Sequence, residues 1–147
     1  EGIIGTLPWI AQVDAFQHWI YENPNHSREE RTQQWLELCA RFGSGEIDFS
    51  GLESALENSW HKQLHIFEVP FYYIEYGFAQ LGAIGVWKNY ITKGSTAIAD
   101  YKAFLSSGNT RSIPEIYKTA GVAFEFSNRY IQDLMSFVFR ELQSIHE

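Results

Sequence analysis

The sequence predicts an all-α protein, a bundle of about six to seven helices. Apolar residues recur at three- and four-residue steps through most of the chain, the period of a helix that packs along one face. Ser27 with Glu30 and Ser50 with Glu53 have the spacing of a capping box, and Pro114 suits a first helical turn. The two-residue period of a strand does not persist beyond a few positions. A helical bundle is therefore the expected fold.

Four helices are predicted in the first two thirds of the chain. They cover residues 8–22, about 28–42, a stretch behind Ser50 that ends at about 65, and about 70–92. Pro8 is expected in a first turn, because a residue there needs no amide hydrogen bond. The Val69-Pro70 pair separates the third helix from the fourth, since the residue before a proline is pushed out of the α region. The fourth is apolar almost all round and is expected to be central and buried.

Three glycines of the fourth predicted helix, Gly77, Gly82 and Gly85, leave flat spots where another backbone can approach. Further helices are predicted over residues 98–105, with Ser95 or Thr96 as the cap, over about 113–121, and from Ser127 to the C-terminus. No repeat or low-complexity linker interrupts the series. Residues 1–147 are therefore expected to form a single helical domain.

Composition argues against several classes of partner. The chain has a formal net charge of -7 and no block of Lys or Arg, so a nucleic acid is not expected. No apolar run reaches the ~18 to 20 residues of a membrane span, and no signal-peptide pattern is present. The single cysteine, Cys39, excludes a disulfide within the chain and fits a reducing compartment. We expect no membrane partner and a cytoplasmic location.

The segment 61–76 has the most chemical potential, because it combines histidines, tyrosines and acids. On the fourth predicted helix Tyr73 and Tyr76 are three residues apart and share a face, and Tyr72 lies on the neighbouring one. A phenol is a neutral donor at ordinary pH, suited to a carbonyl or a developing oxyanion. His65 precedes the proline break and is placed to fold back toward these hydroxyls.

Two other interpretations apply to the same residues. The tyrosines can fill a core while their hydroxyls meet water, and His65 can cap a helix C-terminus. His61 and His65 also stand four apart, one turn after Glu57, which is the spacing of a two-histidine, one-carboxylate metal site. No second helix offers an obvious His or Cys ligand, so metal binding is the least favoured. The motifs GxSxG and HExxH and a glycine-rich phosphate loop are all missing.

Several stretches of the sequence resemble the oligoendopeptidase F family, relatives of thimet oligopeptidase. They are VDAFQHWIY (13–21), FSGLE (49–53), HIFEVPFYYIEYGFAQLGA (65–83), and IPEIY (113–117) together with Gly121. The similarity covers nearly the whole chain. It implies that this chain is the C-terminal part of a larger all-helical metallopeptidase catalytic domain, whose partner is an oligopeptide substrate.

The resemblance also implies residue roles. In that family an HExxH helix and a downstream glutamate bind zinc, and a zinc-bound water attacks the peptide bond. A histidine and tyrosines from the C-terminal segment bind the substrate backbone and stabilise the oxyanion. They correspond here to His65 and Tyr76 as catalytic residues, and to Tyr72 and Tyr73 as substrate-binding residues. Because this chain lacks HExxH, zinc ligands are expected upstream of Glu1, with no metal bound and no hydrolysis by the chain alone.

A stand-alone helical binding or dimerisation module without catalysis is the alternative function. It would keep the scaffold and use aromatic surface that upstream helices would otherwise cover. Such exposed apolar surface also predicts self-association. The two functions differ in what they require of the side chains, since only the peptidase needs His65, Tyr73 and Tyr76 to converge on one open groove.

Overall fold

The computed structural model describes residues 2–145, apart from the side chain of Ile3. Within that range the chain forms eight α-helices and one 3₁₀ turn and contains no strand, so the all-α prediction is confirmed. The elements are α1 Gly2–Glu22, α2 Arg28–Phe42, α3 Glu53–Glu57, the 3₁₀ turn Ser59–Lys62, α4 His65–Glu68, α5 Ile74–Lys93, α6 Ser95–Ser106, α7 Ile113–Thr119 and α8 Asn128–Ile145. None of these helices is long and apolar enough to cross a bilayer.

The chain divides into two compact units, and the boundary between Gly77 and Phe78 falls inside α5. Unit 1 contains α1 to α4 and the first turn of α5. Unit 2 contains the rest of α5 and the helices α6 to α8. That residues 1–147 fold as one domain stays a prediction.

An aromatic core holds unit 1 together. Helix α1 packs against α2, with Phe16 and Trp35 fully buried and their ring centroids 5.0 Å apart. Trp60 from the 3₁₀ turn joins them, 5.4 Å from Phe16. The Trp35 indole N–H donates to the Leu56 carbonyl at 3.1 Å and to the Ser59 hydroxyl at 2.9 Å. The segment after α3 is therefore attached directly to the core.

Helix α2 begins and ends where the sequence predicts. Its start is specified by neighbouring residues. The Glu30 N–H donates to the Ser27 hydroxyl at 3.1 Å, and the Ser27 N–H donates to the Glu30 carboxylate at 2.7 Å. These reciprocal bonds form the predicted capping box. The hydrogen bonds from Ser27, that of its backbone N–H above all, lower the pKa of Glu30.

The second predicted capping box, at Ser50 and Glu53, does not form. The Ser50 hydroxyl donates to Asp48 at 2.6 Å, and the Glu53 carboxylate accepts from the Gly51 N–H at 2.9 Å. A carboxylate two residues away offers the serine a closer partner than the helix amides do. Helix α3 consequently has no side-chain cap and starts at Glu53 itself.

The single helix predicted to reach residue 65 is also wrong, since α3 ends at Glu57 and a 3₁₀ turn and α4 follow. In a continuous helix the Leu56 carbonyl would accept from the Trp60 N–H. Here it accepts from the Trp35 indole and the Ser59 hydroxyl instead. Tertiary bonding has replaced the helical bond, so the helix stops.

Helix α1 starts at Gly2, ahead of the predicted start at Pro8, which therefore lies inside the helix. The proline has no N–H, so the Ile4 carbonyl loses its helical partner there. Pro8 is an exposed residue, and its neighbour Thr6 donates its hydroxyl to the Gly2 carbonyl at 2.8 Å. The apolar residues before Pro8 extend the helix rather than lead into it.

Side chains of other segments pack against the glycines of α5, where the sequence predicted the approach of another backbone. A Cβ at Gly82 would lie 2.8 Å from Cε1 of Tyr117, and one at Gly85 would lie 2.8 Å from Cγ1 of Val122. The Tyr117 hydroxyl then reaches across the helix and donates to the Phe78 carbonyl at 3.2 Å. The helix is closely approached at these glycines, as predicted, but by the Tyr117 ring and the Val122 side chain and not by a backbone.

Unit 2 also contains an apolar cavity of about 590 Å³. Residues of α5, α6 and α7 and of the loop after α7 line it, and aromatic and aliphatic side chains predominate: Ala79, Gly82, Ala83, Val86, Trp87, Tyr90, Ala97, Ile98, Tyr101, Phe104, Tyr117, Ala120 and Val122. Several of these side chains are substantially exposed, among them Tyr90 and Ile98.

A serine-to-alanine substitution should have a different effect on stability at each of the two predicted caps. Ser27→Ala should lower the free energy of unfolding by about 1 kcal/mol, because it removes a formed cap. Ser50→Ala should change it by less than about 0.5 kcal/mol, because no cap is lost. Urea denaturation followed by far-ultraviolet circular dichroism measures both. Equal losses would contradict the assignment of the caps.

The effect of removing the Glu30 carboxylate, as in Glu30→Gln, should depend on pH. The pKa of Glu30 is lowered in the folded chain, so its contribution is present above the unfolded pKa and is lost as the pH falls through the lowered value. The stability gap between Glu30→Gln and the unchanged chain should therefore narrow in acid, because the carboxylate of the unchanged chain is protonated there. A gap that stays constant through the acid range would contradict the role of the Glu30 carboxylate.

Candidate functional site

The four predicted site residues lie together in unit 1 and are called here the His65 cluster: His65, Tyr72, Tyr73 and Tyr76. The His65 ring centroid lies 4.8 Å from that of Tyr73 and 5.6 Å from that of Tyr76, and the two tyrosine rings lie 5.3 Å apart. His65 Nε2 is 3.4 Å from the Tyr76 hydroxyl. Tyr72 stacks nearly parallel to His65 at 6.4 Å. The rings of His65, Tyr73 and Tyr76 therefore lie next to one another, and the open groove expected around them stays a prediction.

A tight turn, rather than one helix face, brings these residues together. His65 opens α4, Tyr76 lies in the first turn of α5, and Tyr72 and Tyr73 precede α5. The helix predicted from residue 70 is wrong there. The Tyr72 N–H donates to the Val69 carbonyl at 3.1 Å, and Phe71 has φ +62°. A proline followed by a residue of positive φ is the pattern of a type II turn.

Phe71 occupies a backbone conformation that bulky residues seldom adopt. Glycine or asparagine usually holds this turn position. Its ring contacts α1, with centroids 4.9 Å from His18 and 5.0 Å from Tyr21. Packing against α1 offsets the backbone strain, and the turn that folds His65 back toward Tyr76 is kept.

Two phenols of the His65 cluster are open to solvent. Tyr72 is 52% exposed and Tyr76 is 43% exposed, while Tyr73 is half-buried. Burial raises the pKa of Tyr73, a hydrogen bond with Trp9 opposes that rise, and the neighbouring Tyr76 adds to it. Tyr73 therefore remains a neutral donor above neutral pH. The cluster therefore presents the hydroxyl donors of Tyr72 and Tyr76 to solvent.

A hydrogen-bonded chain behind His65 was not predicted from the sequence. The Gln63 amide nitrogen lies 2.7 Å from His65 Nδ1, and the Trp9 indole N–H donates to Gln63 Oε1 at 3.0 Å. The Lys62 ammonium lies 4.4 Å from the Trp9 ring centroid. Gln63 lies in the sequence between His61 and His65, the two candidate metal ligands. Trp9 is 54 positions away from it, so no local pattern links the pair.

The metal site considered for Glu57, His61 and His65 does not form. No group of three or more His, Cys, Asp or Glu that could hold a metal ion occurs among residues 2–145. The helix that would align the two histidines is interrupted, and His61 packs on Trp60 with centroids 4.0 Å apart. The described residues therefore do not fit a zinc centre.

Comparison with known proteins identifies the family. Residues 1–136 match the model of peptidase family M3, and the chain belongs to that family. It is similar to the structure of PZ peptidase A with inhibitor 2, with 30% identity and a TM-score of 0.83 over 95% of this chain. It is also similar to the X-ray structure of an oligoendopeptidase F, with 31% identity and a TM-score of 0.77 over 94%. No curated protein sequence matches.

The chain spans 25% and 24% of the two solved structures that it resembles. The family that was predicted from the sequence is confirmed by these matches. The roles of His65, Tyr72, Tyr73 and Tyr76 stay predictions, because the comparisons concern the family and the fold.

The positive φ of Phe71 yields a prediction with an internal control. Phe71→Gly and Phe71→Ala lose the same ring contacts, but only glycine relieves the backbone, so the glycine variant should be more stable by about 1 kcal/mol. At Phe67, inside α4, the order should reverse by a similar amount. Urea denaturation of the four variants tests both orders. An alanine variant as stable as the glycine variant at position 71 would refute the strained turn.

Proposed function

We propose that this chain supplies the substrate- and oxyanion-binding part of the active site of a zinc-dependent oligoendopeptidase that hydrolyses short peptides. The supporting observation is the convergence of His65 with three tyrosines in a chain of peptidase family M3. The zinc ligands are proposed to lie on a segment upstream of this chain. The single cysteine is the basis for proposing a cytoplasmic location.

Tyr76 and His65 are proposed to act on the oxyanion. When a peptide bond is attacked, its carbonyl oxygen gains negative charge, and donors aimed at that oxygen stabilise the transition state. His65 Nε2 and the Tyr76 hydroxyl are 3.4 Å apart, so one oxygen can lie within hydrogen-bond distance of both. Neither group needs to change its charge to donate.

Tyr72 and Tyr73 are proposed to bind the substrate backbone. Tyr72 is the more exposed ring and lies 6.0 Å from Tyr76, so it borders the same surface. Tyr73 is held more deeply, next to both His65 and Tyr76. Neutral phenols suit the carbonyls that every peptide backbone carries, and this supports a peptide as the substrate.

Tyr76→Phe tests the oxyanion role. The assay uses a quenched fluorescent oligopeptide with added zinc, and compares the chain alone with the chain extended upstream through a segment carrying the zinc-binding helix. In the extended protein the substitution should lower kcat roughly 100-fold, because one oxyanion donor is removed. Zinc content should not change.

Tyr21→Phe is the matched control, because Tyr21 is an exposed tyrosine of unit 1 outside the His65 cluster. The Tyr21→Phe variant should have the same activity as the unchanged protein. If Tyr76→Phe and Tyr21→Phe behave alike, the role proposed for Tyr76 is lost. If the extended protein is inert with zinc bound, the proposed peptidase activity is lost as well.

A helical binding or dimerisation module is the second candidate function. The apolar cavity of unit 2 supports it, because exposed apolar surface of this kind commonly marks an interaction site. A second copy of the chain is the partner proposed for this surface. The two functions concern different units, so each can be tested without the other.

Self-association through unit 2 predicts a specific effect of charge. Ile98→Glu places a carboxylate at the cavity and should shift the chain toward the monomer, because burying an unpaired charge at an interface is costly. Ile113→Glu alters an isoleucine of similar exposure that does not line the cavity and should have no such effect. Size-exclusion chromatography with light scattering measures the mass. A monomer at every concentration before substitution would exclude the dimer.

A further inference from the structure

We infer that Gln63 is a positioning residue that sets the tautomer of His65. It keeps the proton of the neutral imidazole on Nε2, the nitrogen that faces Tyr76, and leaves Nδ1 as an acceptor. The inference rests on the function proposed for the His65 cluster and adds Gln63 and Trp9 to it. It follows from three hydrogen-bond contacts taken in order.

The first contact fixes the orientation of the Gln63 amide. The Trp9 indole nitrogen can only donate, and it lies 3.0 Å from Gln63 Oε1. The amide oxygen must therefore point toward Trp9. Its NH₂ group then points the other way, toward His65. The reverse orientation would bring two donors together at Trp9.

The second contact fixes the proton on the imidazole. The Gln63 NH₂ group lies 2.7 Å from His65 Nδ1, and an amide nitrogen donates but does not accept. Nδ1 must therefore offer its lone pair. In a neutral imidazole only one nitrogen carries hydrogen, so the proton is on Nε2. The hydrogen bond made by one ring nitrogen thus decides the state of the other.

The third contact shows what this tautomer does. His65 Nε2 lies 3.4 Å from the Tyr76 hydroxyl, a long hydrogen bond in which Nε2–H donates to the phenol oxygen. The phenol hydrogen is then free to point outward to a ligand. An oxyanion that displaces this long bond can accept from Nε2–H and from the phenol at the same time. The other tautomer would present a lone pair to that negative charge and repel it.

The chain of contacts is anchored at its far end. Trp9 packs edge-on against the buried Trp35 ring at 5.7 Å, and the Lys62 ammonium lies over its face. The backbone of Gln63 is held as well, because its N–H donates to the Trp60 carbonyl at 3.0 Å and its carbonyl accepts from the Ile66 N–H at 3.1 Å. Gln63 is partly buried. Its side chain therefore has little freedom to exchange its two amide ends.

Long-range ¹H–¹⁵N correlation spectra of the 147-residue chain test the tautomer directly. The spectra are recorded in mildly alkaline buffer, where an ordinary imidazole is neutral. The His65 signals are assigned by their loss in His65→Gln. The pattern of an Nε2–H tautomer is expected. An Nδ1–H pattern, or an even mixture of the two, would overturn the inference, and this outcome does not depend on peptide hydrolysis.

Gln63→Glu reverses the second contact at nearly constant shape. A carboxylate can still accept from Trp9, but it can only accept from Nδ1 as well. His65 should then carry a proton on Nδ1, and its pattern should change. Gln132→Glu adds the same charge at an exposed position of α8 and should leave the pattern as it was. An unchanged pattern in Gln63→Glu, or an equal change in both variants, would overturn the role of Gln63.

Kinetics of the extended protein connect the tautomer to the proposed function. Gln63→Glu should lower kcat by roughly tenfold, about the value of one hydrogen bond in the transition state, with little change in KM. Methionine neither donates nor accepts strongly at this position, so Gln63→Met should give a mixture of the two tautomers. Its kcat should lie between that of the unchanged protein and that of Gln63→Glu. If the spectra follow the expectation while kcat is the same in all three proteins, the tautomer is set by Gln63 but the oxyanion role proposed for His65 is refuted.

Discussion

The hydrogen bonds of the Trp35 indole determine where the proposed site lies within unit 1. The ring is fully buried between α1 and α2, and its N–H takes the Leu56 carbonyl that would otherwise continue α3. The chain turns there, and Trp60 enters the aromatic core. Gln63 and His65 follow within one further turn. A bond in the core thus sets the position of residues on the surface, because a buried indole N–H without an acceptor is costly.

The function proposed for the His65 cluster depends on the geometry of its hydrogen-bond donors. Hydrogen-bond donors contribute most to the proposed site when they already point the right way before a peptide binds. The turn at Phe71 brings the rings together, and the contacts of Trp9 and Gln63 orient the imidazole. In the proposed enzyme, unit 1 would contribute this preorganisation and other residues would supply the metal chemistry.

The parts of the fold that the sequence predicts well are those specified by neighbouring residues. The cap of α2 depends on side chains three positions apart, and α7 begins at Ile113 beside Pro114, and both start as expected. The break after α3 depends on an indole 21 positions away from the carbonyl it binds, and no local pattern contains it. Likewise the tyrosines could be chosen from their chemistry and the resemblance, but Gln63 could not. Its role arises only once Trp9 is placed beside it.

The division of the chain at Gly77 has a spectroscopic consequence. Four of its five tryptophans, at positions 9, 19, 35 and 60, belong to unit 1, and Trp87 is the one in unit 2. Tryptophan fluorescence therefore reports mainly on unit 1, which contains the His65 cluster. Far-ultraviolet circular dichroism averages over all amide groups and reports on both units. A mismatch between the two signals during unfolding would reveal halves that melt separately, and a single stability value would then describe neither of them.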